Sequence, residues 1–239
     1  MSPANYVSAR GRAQLVQALF VLFIGIVIGE ILVGFIGLVV SPNSLDGLVY
    51  EQEEPTLLLI LLGLLTIGRF AVFVLTAIAY LVWLHRAYSN LNPLGAMGLE
   101  YTPGMAVGGW FIPFANLVIP YKVVKETWQE SDPLIAEPVE DWQRSGAPGW
   151  LAAWWGCWLA GNILSRVSSA LIDNAKNTSD LALGLKVNMV VELVVVIAAV
   201  LALLAVRGID KRQEAKSQSL ANDNAPPPPP VFGEINGTV

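Results

Sequence analysis

Arg69, Glu30 and Glu192 are the residues whose types and positions could do chemistry, because each stands inside a long apolar run. A charge near the bilayer centre costs at least about 2.5–3.5 kcal/mol on insertion scales, and more when it has no partner. Depth predicts the partners. Counted at 1.5 Å per residue from the outer end of its run, Arg69 lies roughly 19 Å down, Glu30 about 15 Å and Glu192 about 16 Å. An arginine side chain spans that difference, so Arg69 is expected to bridge to Glu30, Glu192 or both. Two carboxylates facing one guanidinium leave one excess negative charge. A proton or a cation would balance it, as in membrane proton relays and cation sites. A structural ion pair that fixes helix register is the plainer reading and ranks ahead.

The elements that must hold these residues are four apolar runs, 13–40, 56–84, 150–172 and 181–206. A helix of about 20 mostly apolar residues crosses a hydrocarbon core, and each run is long enough. Backbone polar groups in hydrocarbon must be satisfied within helices. The expected fold is therefore all-α, an integral membrane four-helix bundle. Hydrophobic residues make up 54% and charged residues 14%, where a soluble domain carries about 25% charged. The net charge of −5 is spread over loops, and no basic stripe points to nucleic acid.

Charge in the connections sets the orientation. Loop 41–55 has no Lys or Arg but carries Asp46, Glu51, Glu53 and Glu54, and loop 173–180 has only Lys176. The basic residues Arg10, Arg12, Arg86, Lys122, Lys125, Arg144, Arg207, Lys211, Arg212 and Lys216 fall in the other connections and ends. The positive-inside rule then puts both termini in the cytoplasm. Residues 1–12 read as a cytoplasmic segment, 13–207 as the membrane domain and 208–239 as a disordered cytoplasmic tail. The tail contains the proline run 226–230, which favours polyproline II.

Between the second and third runs, 103–130 reads as a re-entrant or interfacial broken helix. Pro113 and Pro120, with Asn116 between them, interrupt an otherwise apolar stretch. A fifth crossing would carry Lys211, Arg212 and Lys216 outside, against the charge rule. Thr102-Pro103 supplies an N-cap and a first helical residue. Pro120 opens a short amphipathic helix with Tyr121, Val124 and Trp128 on one face.

Gly25 and Gly29 form a small-xxx-small pattern that marks a helix-packing face, within the bundle or between copies. Asn162, Arg166, Lys186 and Asn188 lie towards the outer half and read as interface residues or the lining of a polar opening. Cys157 and His85 are the only cysteine and histidine, which leaves no Cys/His metal site and no cofactor to expect. No Ser-His-Asp arrangement, HExxH or phosphate-binding glycine loop is present, so no enzyme is indicated.

Residues 83–91 read WLHRAYSNL, residues 101–117 read YTPGMAVGGWFIPFANL, and 120–124 read PYKVV with Trp128 beyond. This pattern resembles the bacterial membrane proteins grouped as domain of unknown function 4328, over roughly 15 to 207 and most strongly in the central segment. The resemblance implies a small bacterial inner-membrane protein and brings no activity or catalytic residue. The matching residues are Arg86, Asn90, Gly104, Gly109, Trp110, Phe111, Pro113, Asn116, Pro120 and Trp128. Gly104, Gly108 and Gly109 are expected to permit close backbone approach, and Arg86 and Asn90 to cap the broken helix.

The leading expectation is a non-enzymatic inner-membrane component that binds membrane lipids, a membrane protein partner or a second copy of itself, with no nucleic acid. The alternative is a small carrier or channel built on Glu30, Arg69 and Glu192. An intramembrane enzyme ranks third.

Overall fold

A computed structural model describes residues 5–40, 57–134 and 146–223. Among these residues the regular structure is helical: α1 Arg10–Val40, α2 Leu57–Ser89, α3 Pro103–Gly108, a 3₁₀ turn Ala115–Leu117, α4 Ile119–Glu130, α5 Gly149–Asp173 and α6 Thr178–Asp223. Three helices, α1, α2 and α6, are long and apolar enough to cross a membrane. Helix α5 has 25 residues, about 38 Å at 1.5 Å per residue. Its four tryptophans and its Asn162, Ser165, Arg166, Ser168 and Ser169 make it less apolar than the other three.

Helix α1 packs on α2 and on α6, and α5 runs antiparallel along α6. Glycines set the α5–α6 register. A Cβ at Gly184 would meet Ile172, and Gly161 lies against Val194 and Val195. Ser168 reinforces it by donating to the Gly184 carbonyl at 3.3 Å. Among the described residues α2 and α5 do not pack backbone to backbone, and the cleft between them is spanned by side chains.

The 103–130 segment closes that cleft at the end where α1 begins and α2 finishes, here called the basal end. Thr102 caps α3 by accepting from the Met105 amide at 3.2 Å, with Pro103 first in the helix. The chain climbs from Tyr88, whose hydroxyl accepts from the Tyr101 amide, to Tyr80, which Trp110 meets edge-on at 5.6 Å. It turns over residues 111–118, and α4 returns so that Trp128 packs on Trp150. The segment thus enters and leaves at one end. Phe114 sits at the tip with φ 62° and is 84% exposed, a backbone region that costs a non-glycine residue about 1–3 kcal/mol.

The core is concentrated at the basal end, where Val16, Trp83, Leu84, Tyr88, Leu91, Val123, Val124, Leu151, Val206 and Ile209 are buried. This corrects the tail expected from 208. Helix α6 continues for 46 residues, about 69 Å, more than twice a hydrocarbon core of about 30 Å. The apolar run stops at Val206, but Ile209, Gln213 and Lys216 still face inwards and are buried. The proline run 226–230 lies outside the described residues, as do most of loops 41–55 and 131–148.

Candidate functional site

Arg69 of α2 lies between Glu30 of α1 and Glu192 of α6. Its Nη1 donates to Glu30 Oε2 at 2.5 Å and to Glu192 Oε1 at 2.8 Å, and its Nη2 donates to Glu192 Oε2 at 2.7 Å. Glu192 therefore receives the two-pronged arginine–carboxylate pairing, with two N–H···O bonds that fix geometry as well as charge. Glu30 shares one nitrogen with it. The other Glu30 oxygen accepts no hydrogen bond among the described residues. The three side chains are mostly buried, Glu192 the most. The guanidinium also stands 5.8 Å from the centroid of the Phe23 ring, within range of a favourable cation–π contact.

An aromatic layer lies basal to this triad and bridges the cleft. Phe73, one turn from Arg69, stacks on Trp158 of α5 at 6.4 Å and 14°, and meets Phe23 at 6.1 Å. Trp110 stands edge-on to Trp155 at 5.8 Å and to Trp158 at 6.4 Å. Trp155 Nε1 donates to the Leu117 carbonyl at 2.8 Å, which satisfies one backbone group freed by the break at Pro113 and Pro120. Between the 103–130 segment and α5 lies a cavity of about 390 Å³ lined by Trp110, Asn116, Trp155, Trp158, Asn162 and Arg166. The α5–α6 register places Arg166 level with Val190, half a turn from Glu192. Arg166 is exposed and has no charged partner among the described residues.

At the basal end polar contacts join the α6 extension to the end of α2 and to the 103–130 segment, a helical hairpin. Gln213 Nε2 donates to the Ala87 carbonyl at 2.8 Å and to Ser131 Oγ at 3.2 Å, and Asn90 Nδ2 donates to Gln213 Oε1 at 3.4 Å. Lys216 Nζ donates to the Glu130 carbonyl at 2.9 Å. Arg212 pairs with Asp132 at 3.2 Å and covers the Trp128 ring at 4.4 Å. The N-terminal segment joins in through Tyr6 and Ser8, both donating to Glu214. Burial together with that carboxylate pushes the Tyr6 hydroxyl well above its ordinary value. On the hairpin, Lys122 pairs with Glu100 at 2.7 Å and holds that carboxyl below the usual range.

Several expected site residues have other roles. Asn90 does not cap the broken helix: it donates to the Val7 carbonyl at 3.0 Å as well as to Gln213. The Arg86 side chain makes no hydrogen bond or ion pair among the described residues; its carbonyl accepts from the Asn90 amide at 3.0 Å. Of the central glycines, only Gly109 sits in a close approach, where a Cβ would run into Ile119; Gly104 and Gly108 face open space or ordinary contact. A Cβ at Gly25 or Gly29 would meet nothing within 4 Å, so neither forms a packing face among the described residues. Phe111, Pro113 and Asn116 sit on the turn, exposed, whereas Pro120 is buried at the start of α4. Residues not anticipated are Phe73, Tyr80, Gln213 and Gly208. The first two repeat at helical spacing towards the cleft, and Gly208 is the small residue on which Trp128 rests.

Membrane-length apolar helices tied together by a buried Arg–Glu–Glu triad define an all-α membrane protein. The chain belongs to the family described as Domain of unknown function (DUF4328), which matches residues 56–211, well over half of it. The match includes Arg69, Glu192 and the whole hairpin, and it begins after α1, later than the resemblance suggested. Comparison with curated proteins and with solved structures returned no match.

Proposed function

We propose that this protein is a four-span, non-enzymatic component of a bacterial inner membrane, with both termini cytoplasmic, and that it holds a phospholipid in the cavity between the 103–130 segment and α5. The observation that carries this reading is Arg166, a charged residue without a counter-ion among the described residues, beside a tryptophan-lined cavity. A guanidinium on an apolar helix is costly unless it reaches water or an anion, and a lipid phosphate supplies the anion. The acyl chains then lie against Trp158, Trp155 and Trp110. The fourth span is α5, supported by its antiparallel register with α6. The cytoplasmic assignment of the basal end is supported by Arg10, Arg12, Arg207, Lys211 and Arg212 gathered there.

The test is native mass spectrometry of the protein extracted in nanodiscs from its own membrane. Retained phospholipid above the bulk membrane ratio, lost together in Arg166→Ala and Trp158→Ala, supports the reading. No retained lipid, or retention indifferent to both changes, refutes it. A stoichiometric protein in place of lipid would establish an assembly role instead. A second reading, a small carrier, is favoured by one observation: Arg69 serves its two carboxylates unequally.

A further inference from the structure

We infer that Glu30 is a proton-binding site, its carboxyl group taking up and releasing one proton while Glu192 keeps its two-pronged pairing with Arg69. The inference stands independently of the lipid reading.

Arg69 carries one positive charge and faces two carboxylates. With both ionised the triad has a net charge of −1, and an uncompensated charge in low-dielectric surroundings is expensive. The groups facing Glu30 are Arg69 from α2, Glu192 from α6 and the Phe23 ring near the guanidinium on α1 itself. Among the described residues no second cation bonds either carboxylate. Lys186 is exposed further along α6, and Arg166 is directed to the cavity on α5. Nor do the described residues include a group of three His, Cys, Asp or Glu able to hold a metal ion. A proton is the balancing charge that needs no further ligands.

Hydrogen-bond geometry decides which carboxyl holds it. Glu192 accepts from both terminal nitrogens of Arg69, one to each oxygen, so protonating it would sacrifice one of the paired bonds. Glu30 uses only Oε2, so a proton on Oε1 leaves that bond intact. Glu30 is also the more exposed carboxylate, 17% against 11% for its side chain, so water has the better access to it. The step needs no co-reactant: water delivers the proton to the Glu30 carboxylate, giving the neutral acid, and takes it back when the pH rises.

Infrared difference spectroscopy on the full chain in nanodiscs, stepping between acidic and alkaline buffer, reads this directly. The expected result is a carboxylic C=O band that bleaches as pH rises and is missing in Glu30→Gln. That variant mimics the protonated acid and is expected to keep the wild-type melting temperature. Glu192→Gln frees Arg69 to pair with Glu30 alone, so the band is expected to vanish there too. Two outcomes overturn the inference: no such band in the wild type at any pH, or a band that survives Glu30→Gln. A purely structural triad moves the melting temperature of these variants without any titrating band. Labelling with a hydrophobic carbodiimide, mapped by peptide mass, supplies a second readout, with the adduct expected on Glu30. An adduct on Glu192 alone counts against the assignment.

Discussion

Gly208 of α6 lies directly under the six-membered ring of Trp128 of α4, leaving no space for a Cβ. Glycine is required here for approach, not for backbone angle, because Gly208 sits within a regular helix. The contact joins the returning arm of the hairpin to the extension of α6, and Arg212 completes it by covering the same ring one turn further on.

Gly208→Ala is accordingly expected to lower stability by about 1–3 kcal/mol, the usual cost of forcing a group into a packed site. The thermal midpoint in nanodiscs is the measurement. Gly25→Ala is the matched control, since nothing stands within 4 Å of it, and the gain in helix propensity favours it by up to about 1 kcal/mol. A loss at Gly25 comparable to that at Gly208 would mean that the Gly25/Gly29 face packs against another molecule in the membrane.

Gln213 is buried and serves three partners on two other elements. Gln213→Leu keeps the volume but strands the Ala87 carbonyl and leaves Asn90 Nδ2 with only its bond to the Val7 carbonyl, at an expected cost of about 1–3 kcal/mol. Hydrogen exchange at α4 and at the end of α2 should rise in this variant. Unchanged exchange would show that the α6 extension is only loosely joined to the bundle.

The triad was legible in the sequence because helical rise is the same in every span, so equal depth follows from counting residues. The chain reversal at 103–130 was legible because Pro113 and Pro120 break a helix wherever they stand. The α6 extension was not. Its inward stripe, Val206, Ile209, Gln213 and Lys216, keeps helical spacing but trades apolar residues for polar ones midway, so hydrophobicity falls while packing continues. Asn90 was misplaced for a related reason. Its partners Val7 and Gln213 lie far away in sequence, and only the fold brings them to the end of α2. Gly25 and Gly29 fit a packing pattern, but helix rotation turns them away from α2 and α6. The cleft itself depends on α2 and α5 meeting only through side chains such as Phe73 and Trp158, which no local pattern encodes.

Arg69→Ala leaves two buried carboxylates without a cation, and removing one partner of a buried pair costs about 3–5 kcal/mol. The expected outcome is poor insertion or a sharply lower thermal midpoint. The triple variant Arg69→Met, Glu30→Gln, Glu192→Gln removes every charge and should recover the midpoint to near wild type, because well-packed neutral groups often replace a buried ion cluster at no loss. Recovery with loss of the titrating band would separate the structural and proton-binding roles. Failure to recover would mean that the charges specify the helix register.

Trp110 is the one side chain of the hairpin that meets aromatic residues of both α2 and α5, through Tyr80, Trp155 and Trp158. Trp110→Ala removes that bridge and enlarges the cavity where acyl chains are proposed to lie. Large-to-small changes at packed aromatic positions cost about 3–5 kcal/mol when fully buried, and less is expected here because Trp110 is half-buried. The two consequences separate in Trp110→Phe, which keeps a ring between α2 and α5 and should restore most of the stability while holding lipid less tightly. Lipid retention by native mass spectrometry, set against the thermal midpoint of the same two variants, is the comparison that decides. If retention follows the midpoint in both, the tryptophan only braces the cleft. If retention falls in Trp110→Phe with the midpoint recovered, the indole itself contacts the lipid.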